Sequence, residues 1–133
     1  MSRYLVLLIS VVVCAFSLES VAAETDTPQY KRGRLLYIQC RACHDLVPSA
    51  VRKVGPNLAG MMNRKAAQDA DFGYSAALQA AADRLIWDEA TLDRWLEKPS
   101  ALVPGNTMAF AGIANPTDRA ALIHYISIET RPR

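Results

Sequence analysis

The sequence predicts an all-α fold on three observations. Apolar residues recur at three- and four-residue intervals in several segments, capping residues stand directly before a proline or beside a hydrophobic staple, and no alternating strands flank a two-residue hairpin turn. Thr27-Pro28 opens the first helix with proline at a position where no backbone N–H is needed, and Gly33, Leu36, Tyr37 and Cys40 mark its face, carrying it into the cysteines. Turn formers dominate residues 48–60, which read as loop. A short helix is expected from Ser75, using Ala76, Ala77, Leu78 and Ala81. Asp88 caps the next one between Trp87 and Leu92; Leu92, Trp95 and Leu96 form its buried stripe, and Pro99 pushes Lys98 out of helical geometry and ends it. Residues 103–112 follow no period yet include Met108 and Phe110, which need a surface to pack on. Asn115-Pro116 repeats the cap-plus-proline signal, and Leu122, Tyr125 and Ile126 give the last helix its apolar face. These short stripes cannot fill a core alone, so a large apolar group is expected at the centre.

At 133 residues the chain suits one domain. After Met1-Ser2-Arg3, an apolar run from Tyr4 to Leu18 leads through Glu19 to Val21-Ala22-Ala23, the pattern of a secretory signal peptide spanning 1–23 and cut after Ala23. The run is shorter than the roughly 20 apolar residues a bilayer core requires, so an uncleaved anchor is the weaker reading. Residues 24–133 form the expected domain, and the periplasm its expected location, with membrane attachment if the segment stays. The segment carries one basic and one acidic residue, so the net charge of +2 is unchanged by its loss. Residues 24–65 hold 8 basic and 3 acidic residues, and 66–133 hold 6 and 9. That asymmetry either orients a partner during encounter or reflects two differently solvated faces. Basic residues are scattered and not interleaved with aromatics, which argues against nucleic acid.

Cleavage would remove Cys14 and leave Cys40 and Cys43. Two cysteines three apart can pair, act as a redox dithiol, bind metal or form thioethers. His44 completes Cys40-Arg41-Ala42-Cys43-His44, which ranks covalent haem attachment first: both sulfurs face one side of a helical turn, and the histidine reaches the iron. An imidazole ligand needs its other nitrogen held, and Pro56 in a stiff turn offers a carbonyl; spacing alone divides evenly between that role and an ordinary turn. For the sixth position the candidates are Met61, Met62, Met108, His124 or nothing. Met61 and Met62 suit a core or a ring edge, His124 a solvated or interfacial site, and Met108 a shaped loop that presents its thioether beside Phe110.

In order along the chain stand Gly33 and Tyr37, the Cys40–His44 motif, Gly55-Pro56-Asn57-Leu58-Ala59-Gly60, Phe72-Gly73-Tyr74-Ser75, Trp87 with Leu92, and Pro104-Gly105-Asn106-Thr107-Met108-Ala109-Phe110. From about Gly33 to Ile126 this set resembles the class I c-type cytochromes, and among them the soluble bacterial carriers similar to mitochondrial cytochrome c. The resemblance implies a small loop-rich cytochrome c fold, with first and last helices crossing where Gly33 lets them close near Tyr125, wrapped around one covalent haem c. It implies that Cys40 and Cys43 hold the haem, His44 and Met108 ligate iron, Pro56 accepts from His44, and Tyr74 and Trp87 donate to a propionate. There are departures: Trp95 stands where the family commonly has a tyrosine beside the methionine ligand, and Ser100, Thr107 and Asn115 replace lysines around the haem edge.

The function expected is electron transport by a monomeric, non-enzymatic carrier of the respiratory-chain type, passing single electrons between redox partner proteins, either membrane-bound complexes or periplasmic enzymes, without a small-molecule substrate. The alternative is a haem enzyme or gas binder with a labile methionine, which would want acid–base residues beside the open site; none is evident near Met108. A dithiol oxidoreductase or zinc site would need a βαβ setting or four paired ligands, and neither pattern is present.

Overall fold

The computed structural model describes residues 24–132; the proposed signal segment, including Cys14, lies outside them. Five α-helices lie wholly within the described residues: α1 (Pro28–Tyr37), α2 (Ala76–Ala81), which continues as a 3-10 turn over Ala82–Arg84, α3 (Glu89–Glu97), α4 (Pro99–Leu102) and α5 (Pro116–Glu129). Among the described residues the sole β-type pairing is one antiparallel bridge, Lys65 with Ile86. The fold is the all-α one expected.

Local chemistry sets the helix starts. Thr27, Ser75, Asp88 and Asn115 each accept from backbone N–H groups of the first turn, at 3.1 Å from Tyr30, 3.2 Å from Leu78, 2.7 Å from Thr91 and 2.8 Å from Thr117. Two details differ from expectation. The first helix stops at Tyr37 instead of running into the cysteines: Cys40 N–H and Arg41 N–H both bond the Tyr37 carbonyl, so the chain tightens into turns. Pro99 ends α3 but also starts a helical turn of its own, because its fixed φ suits a first helical position.

The largest helix contact is α1 against α5. A Cβ at Gly33 would collide with the Ala121 carbonyl oxygen and with Tyr125 Cβ, so only glycine permits this approach. Tyr125 sits between Tyr30 and Tyr37, with ring centroids 5.1 and 5.6 Å away. Arg32 makes two 2.8 Å bonds to Asp118, Tyr30 Oη donates to Glu129 at 2.6 Å, and Arg131 forks onto the Glu24 carboxylate at 2.6 and 2.9 Å, joining the first and last of the described segments. Leu92, Trp95 and Leu96 of α3 are buried with Leu122 and Ile126 of α5, which closes the back of the core. The remaining segments, 38–74 and 103–115, wrap the front largely as loops.

Candidate functional site

The front loops and the inner faces of α2, α3 and α5 enclose a cavity of about 250 Å³. Cys40, Cys43, His44, Pro56, Tyr74, Trp87 and Met108 all line it, although they come from five separate segments. Met61 and Trp95 share the wall; Met62 and His124 do not belong to it.

His44 is held from three directions. Its Nδ1 lies 2.8 Å from the Pro56 carbonyl oxygen, and since a carbonyl only accepts, Nδ1 carries the proton and Nε2 keeps a free lone pair. Its own carbonyl accepts from Tyr37 Oη at 2.7 Å. Gly55 lies against the ring, and a Cβ there would press on the imidazole at 2.5 Å. Gly55 N–H also bonds the Cys43 carbonyl at 2.9 Å, and Lys53 Nζ donates to the Arg41 carbonyl at 2.6 Å while pairing with Asp45 at 2.7 Å. The 41–45 turn and the 53–56 turn are thereby laced together. Burial pushes the His44 pKa below its ordinary value, outweighing the Pro56 hydrogen bond, so the ring is neutral and a competent metal ligand.

Burial, and then the neighbouring Cys43, push the Cys40 thiol up to about 11. A redox dithiol needs the opposite, a depressed pKa at a helix N-terminus, whereas this pair follows a helix C-terminus. Both cysteines are free thiols that border the cavity.

Across the cavity, Met108 sits in a loop shaped by Asn106. The Asn106 amide donates to the Val103 carbonyl at 2.8 Å and its oxygen accepts from Met108 N–H at 3.0 Å, so one side chain bridges both flanks of the turn. The loop exit is fixed by Ile113 N–H on the Leu96 carbonyl at 2.8 Å. Buried Arg119 on α5 adds bonds to the Ile113 and Ala114 carbonyls at 3.0 and 2.9 Å while gripping Asp93 of α3 at 2.7 Å.

The lower wall carries donors. Arg64 borders the cavity with its Nε fully enclosed and without a hydrogen-bond partner, a costly state unless a ligand oxygen meets it. Tyr74 and Trp87 line the same cavity, the Trp87 backbone N–H bonds the Arg64 carbonyl at 2.9 Å, and Trp87 stacks edge-on with Trp95 at 5.3 Å. Tyr74 Oη accepts a weak 3.3 Å bond from Asp69 N–H, which leaves its own proton free to donate. Arg64 was missed in the sequence because a basic residue in a loop carries no sign of burial. Arg119 was missed because the period of α5 marks a core-facing residue without naming its polar partners.

No protein-family model matches the chain. The chain is 41% identical over 98 residues to cytochrome c2 of Rhodomicrobium vannielii, covering 74% of this chain and 77% of that one. It is 41% identical over 95 residues to cytochrome c2 of Rhodoblastus acidophilus, covering 71% and 87%. Among solved structures, cytochrome cH from Methylobacterium extorquens superposes with a TM-score of 0.66 at 36% identity, covering 73% of this chain and 95% of that one.

Proposed function

This chain belongs to the class I c-type cytochromes, electron carriers with covalently bound haem c, and we propose that Cys40 and Cys43 hold its haem while His44 and Met108 ligate the iron. The haem supplies a one-electron ferrous–ferric couple, and the protein sets its potential and exposure. What carries the reading is that the two thiols and the neutral His44 ring come from one turn, and the Met108 thioether from a loop 64 residues on, yet all border one cavity.

The donor set fits the group. Two thiols three residues apart can form two thioethers, and a neutral imidazole and a thioether match the axial positions of a low-spin carrier. Arg64, Tyr74 and Trp87 would donate to the haem carboxylates, and the unpartnered Arg64 Nε is the atom that most needs such an acceptor. The Pro56 carbonyl keeps the His44 ring from rotating and raises its basicity. Thioether ligation favours the ferrous state and so a high potential. With His44 and Met108 both available to hold the iron, no site would remain for a gas, and the reading is of a monomeric shuttle between redox partner proteins. Residues 1–23 are proposed to direct export to the periplasm, and no described helix is long and apolar enough to cross a membrane.

The deciding experiment is visible and mass spectrometry of the chain exported through a competent maturation system. The expected product has one haem added by two thioethers, a reduced c-type spectrum indifferent to carbon monoxide, and a far-red oxidised band that disappears in Met108→Ala. An unmodified mass would refute the attachment, and a band surviving in Met108→Ala would refute that ligand.

A further inference from the structure

The turn that carries Pro56 also exposes apolar surface. Of six large apolar side chains exposed among the described residues, three lie on this loop: Val54 at 85%, Val51 at 73% and Val47 at 45%. Val54 borders the cavity itself, and Val51, three residues earlier, borders the neighbouring hollow that Asp45, Arg52, Lys53 and Asp71 also line. The other exposed residues on that rim are Gln39, Thr107 and Ala109, none of them charged.

The basic residues around the patch are already neutralised within the chain. Arg52 pairs with Asp71 at 3.1 Å and donates to the Asp71 carbonyl. Lys53 is bound to Asp45 and to the Arg41 carbonyl, and its side chain is 28% exposed. The basic excess of residues 24–65 therefore does not form a cationic ring at the mouth.

We propose that Val51 and Val54, beside the cavity mouth, are the docking surface for a redox partner protein whose own patch is apolar and uncharged. The proposal rests on the haem reading above. A partner ringed with carboxylates would have to break the Arg52 and Lys53 pairs or leave its own charges desolvated and unpaired, whereas an apolar patch removes the valines from water without that cost.

The test uses two purified blue copper proteins as electron donors, one with its copper beneath an uncharged apolar patch and one with an acidic patch. Bimolecular rates are followed by stopped flow as the salt rises from about 0.01 M to about 1 M, over which the Debye length shrinks about tenfold. The expected result is that the apolar-patch donor reacts faster at every salt concentration, with less than about threefold change across the range. Val51→Asp, which lies outside the cavity wall, should slow that donor about tenfold at high and low salt alike and leave reduction by ascorbate unchanged. A faster, steeply salt-dependent reaction with the acidic donor that is lost in Arg52→Gln would overturn the proposal, as would an unchanged rate in Val51→Asp. The wild-type c-type spectrum checks the haem reading separately: with it intact, either reversal refutes the docking surface alone.

Discussion

At the α1–α5 crossing two helices meet backbone against side chain, with three tyrosine rings and forked ion pairs across the seam; on the opposite side, loops face each other across a cavity and are held by hydrogen bonds at their bases. The crossing is complete within the polypeptide. The cavity wall carries two free thiols, a neutral imidazole and an unpartnered guanidinium nitrogen, the groups that under the proposed reading would find their partners in the haem. One half of the molecule joins Glu24 to Arg131; the other half is the one that, under the proposed reading, would depend on the haem.

The sharpest way to break this contrast is Cys40→Ala with Cys43→Ala. The loop side should lose its filling and take with it most of a stability on the order of 5–15 kcal/mol, seen as low soluble yield and weak helical circular dichroism. A well-folded, haem-free double variant would mean the crossing suffices alone. Gly33→Ala attacks the other half: its methyl has to displace backbone at Ala121, for a loss of about 3 kcal/mol and a fall in Tm on the order of 15 °C. The far-red methionine band should persist below that transition, because ligation sits in the other half.

Met108→Ala should cost less, about 2 kcal/mol for a half-buried side chain, while opening the iron to carbon monoxide and lowering the reduction potential. Tyr30→Phe should have the smallest effect, about 1 kcal/mol or less near neutral pH. Burial and the Glu129 carboxylate hold the Tyr30 hydroxyl at about 12, above its ordinary value of 10. The folded state therefore keeps a proton that the unfolded chain gives up, so this contribution is full below pH 10 and is lost as the pH rises towards 12. Alkaline melts should show wild type converging on Tyr30→Phe across that window.

Helix starts were the most legible feature, because caps act within three residues: Thr27, Ser75, Asp88 and Asn115 each begin a helix where their side-chain chemistry predicts. The end of α1 was not legible, since Gly33, Leu36, Tyr37 and Cys40 keep a helical period even though the backbone tightens after Tyr37. The seven site residues picked from motif and resemblance share one cavity, yet the supports around them escaped reading. Lys53 is a strut between two turns, and Arg64 and Arg119 reach inward, roles that a basic residue in the sequence does not announce. Partners across 26 residues, as for Arg119 with Asp93, leave no periodic trace in the sequence.

The Glu24–Arg131 clip spans a sequence separation of 107 and makes the described chain almost a closed ring. Native contacts of such long range are late rewards in folding, since nearly the whole polypeptide has to be gathered before the two ends can meet. A haem attached at Cys40 and Cys43, as proposed, would shorten that search by giving the loops between α1 and α5 a fixed centre to collapse upon. Attachment of the haem would then govern how quickly the ring closes as well as what it carries afterwards.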